Sequence, residues 1–140
     1  MATYQKFNQT VEDWMEGVYT SSTDQFTVAL TNTAPVAGNS VLADLTEISY
    51  TNLSSRNLTT STSGQTSGTF TQLFADLVLT SSGGATGPFR YVVIYNNTPT
   101  SPADPLLGFY DYEDDGTAPL TLADGETLTI DFTTSTFTVA

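Results

Sequence analysis

The sequence contains no cysteine and no histidine, and its only cations are Lys6, Arg56 and Arg90. The lack of cysteine and histidine excludes disulfide bonds and the usual zinc and haem sites. The lack of histidine also removes the side chain that titrates near neutral pH and often serves as a catalytic base. We therefore expect a protein that is not an enzyme and that needs no cofactor.

The few cations and the 15 acidic residues give a formal net charge of −12. Nucleic-acid binding depends on clustered Lys and Arg that neutralise phosphates, and the sequence has no such cluster. An anionic membrane surface would repel the chain, and no apolar run approaches the ~20 residues that span a bilayer. We expect no direct nucleic-acid binding and no membrane association, whereas a basic protein surface suits the charge.

Hydroxyl-bearing residues are abundant: the 140 residues include 27 Thr and 13 Ser, and only 13% of the residues are charged. Threonine is β-branched and fits a half-exposed pleated strand better than a helix. The length suits one compact domain with a core of its own. Composition and length together predict a single β-rich domain.

The N-terminal segment predicts a helix over about residues 3–18, with Gly17 near its end, where a left-handed residue is often needed. Its apolar residues recur at three- and four-residue steps and would share one face. They are Tyr4, Phe7, Val11, Trp14, Met15 and Val18. This face either closes one end of the core or forms an arm that docks on a neighbouring subunit. On the second interpretation Tyr4, Phe7, Val11, Trp14 and Met15 are interface candidates, because aromatic and Met side chains are common anchors.

Beyond Gly17 the hydrophobic period changes from about 3.6 to 2, which predicts β-strands. Strands are expected at 26–30, around 47–50, at 70–80 with a bulge near Ala75 and Asp76, at 89–95, at 106–112, at 120–122, at 128–132 and at 137–139. Asp124-Gly125 predicts a hairpin turn. The segment 51–68 is nearly all Ser, Thr, Asn and Gly, and it is either a surface loop or a weak edge strand.

These strands predict an antiparallel β-sandwich or jelly roll of about eight strands with one N-terminal helix. Residues 1–140 form one domain in this interpretation. Residues 1–18 are its helix or arm, and residues 19–140 are the sandwich.

One acidic run could bind a metal ion. Asp111, Glu113 and Asp115, followed by Gly116, match the first half of a calcium loop. The acid expected at the twelfth position is replaced by Leu122, so a solvated turn is the preferred interpretation. Arg90 lies in the most apolar strand, and we expect it to form an ion pair.

Four segments resemble small structural proteins of tailed bacteriophage particles. They are FTVALTNTAP at 26–35, VLADLTEI at 41–48, GPFRYVVIYN at 87–96 and LADGETLTIDF at 122–132. The resemblance spans most of the chain, although 52–69 departs from it by being rich in Ser and Thr. It implies a structural role in the particle and brings no catalytic residues.

The resemblance implies a capsid cement or decoration protein that binds the major capsid protein or other virion proteins, as trimers or other multimers. Its expected location is the outer capsid surface of the virion. The N-terminus has no segment typical of a secretory signal, so synthesis is expected in the host bacterial cytoplasm. The alternative is a tail or tail-fibre component that binds a host receptor or glycan.

Overall fold

The computed structural model describes residues 4–112, 119–132 and 137–139. The fold is mainly β with antiparallel sheets, as the sequence predicted, and the described residues contain one α-helix, α1 (Gln9–Met15). The strands are β1 (Tyr4–Lys6), β2 (Phe26–Thr31), β3 (Thr60–Thr66), β4 (Thr69–Phe74), β5 (Leu77–Thr80), β6 (Thr86–Phe89), β7 (Tyr91–Asn96), β8 (Leu106–Asp111), β9 (Leu120–Leu122), β10 (Thr127–Ile130) and β11 (Phe137–Val139). The described residues thus hold eleven strands rather than about eight.

The largest sheet has four antiparallel strands in the order β1-β8-β7-β2. All six residues of β7 are buried, as its continuous apolar sequence predicted. The remaining strands form a three-stranded sheet, β11-β4-β3, and the pairs β10-β5 and β6-β9. This arrangement is consistent with a β-sandwich.

The main core lies between the four-stranded sheet and the smaller sheets. The large sheet contributes residues such as Phe26, Val28 and Ile94, and the smaller sheets contribute residues such as Phe74 and Leu79. Each of these five side chains is at most 2% exposed. Burial of such apolar surface is the main stabilising contribution to the fold.

The opposite face of the four-stranded sheet carries a second apolar cluster. Its members are Phe7, Ala29, Tyr91, Val93, Tyr95, Leu106 and Phe109. Leu42 and Leu45, from a short 3₁₀ turn and the residue after it, pack against this cluster. The sheet is therefore apolar on both faces.

The predicted N-terminal helix is wrong in its extent. Tyr4 lies in β1, which pairs with β8, and the helix covers only Gln9–Met15. The ring of Tyr4 lies over Gly108, where an added Cβ would come within 2.3 Å of it. Gly17 has a φ of 76° just beyond the helix, as predicted. The three-to-four spacing of Tyr4 and Phe7 therefore reflects burial against the sheet and not a helical face.

Two further predictions are corrected by the pairing. Residues 47–50 form no strand and contribute one isolated bridge, between Glu47 and Thr31. The turn around Gly125 does not close a hairpin, because β9 pairs with β6 while β10 pairs with β5. Backbone hydrogen bonds join Gly125 and Glu126 of this turn to Ser81, which lies next to β5.

The strand pairing also assigns two further segments. The irregularity near Ala75 and Asp76 is larger than the predicted bulge, because it separates β4 from β5 and the two strands lie in different sheets. Within the segment left open between loop and edge strand, residues 60–66 form the edge strand β3. None of the helical segments in the described ranges has the length and apolar character required to span a bilayer.

Candidate interaction surface

The acidic run proposed as a weak metal site begins at the end of β8. Asp111 accepts two hydrogen bonds from the guanidinium of Arg90, at 2.8 Å each, so the predicted Arg90 ion pair is present. Arg90 is partly exposed, with 30% of its side chain accessible. Glu113 and Asp115 lie outside the described residues. Within residues 4–112, 119–132 and 137–139, no group of three acids is placed to hold a metal ion.

Several other carboxylates stabilise turns. Asp24, Asp44, Asp76, Asp124 and Glu126 each accept a hydrogen bond from a backbone N–H. The backbone N–H groups of Ser40 and Val41 hold the pKa of Asp44 below its usual value. These acids therefore cap exposed backbone groups, as Asp commonly does in turns.

The helix is attached to the large sheet through polar groups. The hydroxyl groups of Thr10 and Tyr19 donate to the carbonyl of Leu106 at 2.9 and 2.8 Å. Asp13 is buried and accepts weak hydrogen bonds from Gln9 and Tyr19. Burial, reinforced by the Asp13 carboxylate, raises the pKa of Tyr19 above its usual range. The buried side of α1 is thus polar, and the apolar residues of the helix lie elsewhere.

The five predicted interface residues fall into two groups. Tyr4, Phe7 and Trp14 belong to the folded domain: Tyr4 hydrogen-bonds to Leu107, Phe7 is 0% exposed and Trp14 packs against the main core. Val11 and Met15, one turn apart on α1, are 49% and 82% exposed. Of the five predicted interface residues, only Val11 and Met15 have largely exposed side chains, so the candidate surface is reduced to this pair.

An apolar groove of about 480 Å³ opens beside Met15. Its walls come from α1, from the segment after it, and from the β3–β4 hairpin. They are Trp14, Met15, Tyr19, Ser21, Ser22, Ser63 and Phe70. The ring centroid of Trp14 lies 4.8 Å from that of Tyr19 and 6.0 Å from that of Phe70. Helix and hairpin meet through these rings and leave the groove between them.

Ser21 stands out among the groove residues. It is 8% exposed, and its hydroxyl has no hydrogen-bond partner among the described residues. A buried hydroxyl without a partner costs free energy, so it is available to a bound group. No sequence pattern indicates Ser21, because its position beside Trp14 and Phe70 arises only in the folded chain.

Negative charge lies on the same helix. Glu12 and Glu16 are exposed and line a second, more polar groove of about 340 Å³, together with Asp13. The apolar pair Val11 and Met15 is therefore flanked by carboxylates. A partner with an apolar contact and a basic rim matches this surface.

Comparison with known proteins supplies no relative from which residue roles can be transferred to this surface. No family model, no curated protein and no solved structure matches the chain.

Proposed function

We propose that the chain is a non-catalytic structural protein of a tailed-phage particle. In this proposal it is a capsid cement or decoration protein that binds the major capsid protein at the outer surface of the virion. The proposal begins with the resemblance of residues 26–35, 41–48, 87–96 and 122–132 to small virion proteins. The observation that carries it further is the exposed apolar pair on α1 beside an apolar groove.

Contiguous exposed apolar surface is typical of interaction sites. Val11, Met15 and the groove beside Met15 form such a surface, whereas Val36 and Val78, the other exposed large apolar residues that are described, do not line the groove. The turn-capping role of the carboxylates supports a structural protein. The acidic rim formed by Glu12 and Glu16 favours a partner with basic residues around its contact.

The proposal extends to architecture and assembly. The antiparallel sheets would be arranged as a jelly roll, a fold common in capsid domains. The chain would act as a trimer or another multimer on the shell. Sedimentation of the purified protein, alone and with shells, measures both the free and the bound state.

Binding to shells that lack this protein tests the proposal. The shells are purified from the phage that encodes the chain, and bound protein is measured by co-sedimentation. Met15→Gln and Val11→Thr remove apolar contact while keeping similar side-chain size. Since truncation of a central contact typically costs about 2 kcal/mol, we expect roughly tenfold weaker binding or more for Met15→Gln.

Val78→Thr is the matched control, because Val78 on β5 is 52% exposed and is not among the residues that line the groove. It should bind like the unchanged protein. If Met15→Gln and Val11→Thr bind as well as Val78→Thr, the helix surface is not part of the interface. If purified virions contain far fewer copies of this chain than of the major capsid protein, the chain belongs to the tail or tail fibre and not to the shell.

A further inference from the structure

The strand β3 has an open edge beside the groove. Within the described residues, β4 pairs with one side of β3 and no strand pairs with the other. The sequence TSTSGQT of Thr60–Thr66 contains no charged residue and no proline. Charges and prolines are the usual means by which exposed edges avoid pairing with another chain. This edge therefore remains competent to pair.

The backbone groups that point outward can be identified from the β3–β4 turn. Ser67 and Gly68 have φ values of 51° and 84° and form a two-residue hairpin loop between Thr66 and Thr69. The residues flanking such a loop form a hydrogen-bonded pair, and such pairs alternate along an antiparallel ladder. The N–H and C=O groups of Ser63 and Gln65 consequently point away from β4, toward the open edge.

The groove lies on one face of this edge. Ser63 and Phe70 both line it, together with Trp14 and Met15. In a strand added next to β3, every second side chain would project on the groove face. An apolar side chain there would pack against Trp14 and Phe70. The unpartnered hydroxyl of Ser21 would also gain a possible hydrogen-bond partner from the added strand.

A second copy of this chain is a poor occupant. Pairing β3 with another β3 would bring only Ser, Thr, Gly and Gln side chains to the apolar groove. Each copy also carries a net charge of −12, so the two copies repel. An extended segment with alternating apolar residues and basic ends matches both the groove and the charge.

We propose that the open edge of β3 binds an extended segment of a different protein by strand addition, with an apolar side chain of that segment seated in the Trp14–Phe70 groove. Main-chain hydrogen bonds to Ser63 and Gln65 supply affinity, and the groove supplies selectivity. If the proposed function holds, this segment belongs to the major capsid protein. Strand addition itself does not depend on that identification.

A short synthetic peptide, in which valine and leucine alternate with threonine between terminal lysines, serves as the probe. Trp14 is the only tryptophan in the chain, so its fluorescence reports on the groove. We expect the peptide to shift the emission to shorter wavelength and to slow hydrogen exchange at the amides of Ser63 and Gln65. A control peptide of the same sequence, except that its central residue is proline, should cause neither the emission shift nor the slowed exchange.

Ser63→Pro removes an outward N–H while leaving the β3–β4 ladder bonds in place. It should bind the peptide at least tenfold more weakly. Ser21→Ala should weaken binding severalfold without lowering the thermal midpoint. If Ser63→Pro does not fold, Ser63→Lys replaces it, with Thr62→Lys on the opposite face of the same strand as the matched control that keeps binding.

Three results would overturn the proposal. They are the absence of both the emission shift and amide protection, undiminished peptide binding by the folded Ser63 variants, and self-association of the unchanged chain that Ser63→Pro abolishes. The last result would make a second copy the occupant. Peptide binding without shell binding would instead refute the proposed function alone, because the peptide assay contains no phage component.

Discussion

The outer edges of β2 and β3 differ in whether another part of the chain covers them. The outer edge of β2 is covered by residues 47–58, although this segment contains no regular strand. Backbone hydrogen bonds join Val28 to Arg56 and Leu58 to Phe26, each at 2.9 Å. The outer edge of β3 has no such cover among the described residues. One edge is thus satisfied within the chain, and the other is available to a partner.

Side chains complete the cover on β2. The hydroxyl of Tyr50 accepts from the N–H of Leu30 at 2.9 Å and donates to Glu47 at 2.6 Å. The guanidinium of Arg56 donates to the carbonyl of Val28 and lies 3.7 Å from the ring centre of Tyr50. We refer to Glu47, Tyr50 and Arg56 as the β2 clamp. The outer edge of a strand can therefore be covered by side chains from an irregular segment.

The largest expected effect lies beneath the open edge. Trp14→Ala removes the ring that packs on Tyr19 and Phe70, so we expect a loss of about 3 kcal/mol in the free energy of unfolding. Urea unfolding followed by circular dichroism measures it. Met15→Ala, at the exposed neighbouring position, should change stability by less than about 0.5 kcal/mol. A stable Trp14→Ala protein would mean that the helix is a separable arm after all.

The next effect tests the β2 clamp. Arg56→Met keeps the long side chain but removes the charged hydrogen bond to Val28 and the stacking on Tyr50. We expect a loss of about 2 kcal/mol. Lys6→Met controls for the loss of a cation, because Lys6 is exposed on β1.

The matched change at the open edge is Thr62→Lys. Thr62 is exposed on β3, so a charge there should alter the stability of the free protein by less than about 0.5 kcal/mol. If Arg56→Met and Thr62→Lys lower the free energy of unfolding by similar amounts, the two edges do not differ in the way described.

A smaller effect than that of Arg56→Met is expected from loss of the Tyr50 hydroxyl. Tyr50→Phe leaves the Leu30 N–H without its partner, which should cost about 1 kcal/mol. Tyr110→Phe is the control, because the Tyr110 hydroxyl makes no hydrogen bond to the described residues. A Tyr50→Phe loss no greater than that of the control would show that packing alone holds the clamp.

The same hydroxyl makes stability depend on alkaline pH. Burial, with the hydrogen bond to Glu47, raises the pKa of Tyr50 above its usual range. The unfolded chain releases this proton near pH ~10, while the folded chain retains it. The contribution of Tyr50 is fully present below that pH and is lost as the pH rises further. The free energy of unfolding, measured with urea between about pH 8 and pH 11, should therefore fall less steeply with pH for Tyr50→Phe than for the unchanged protein.

Sequence patterns predicted the central strands well. β7 is continuously apolar, and all six of its residues are buried. β2 alternates with period 2, which predicts one buried face, yet all six of its residues are buried. The same logic failed for Tyr4 and Phe7, because their spacing fits a helix while their burial comes from β8 and the second cluster. Local periodicity reports that a residue is buried and does not identify the surface that buries it.

The candidate surface could be predicted only in part. Met15 was among the interface candidates, but Ser21, Ser63 and Phe70 were not. These residues lie far apart in sequence and meet where Trp14 of α1 packs against Phe70 of the β3–β4 hairpin. The β2 clamp was missed for a similar reason, since Tyr50 was assigned to a strand and acts through its side chain.

The pairing of β1 with β8 determines the order in which the protein can form during synthesis. Tyr4 pairs with Tyr110, so the first strand waits for about a hundred further residues. At 5–20 residues per second, this delay lasts roughly 5 to 20 s. β2 likewise waits for β7, so Phe26, Val28 and Leu30 leave the ribosome without their sheet partners. The large sheet therefore assembles late, and the apolar residues of β2 remain open to a chaperone that binds nascent apolar segments while about 60 to 70 further residues are synthesised.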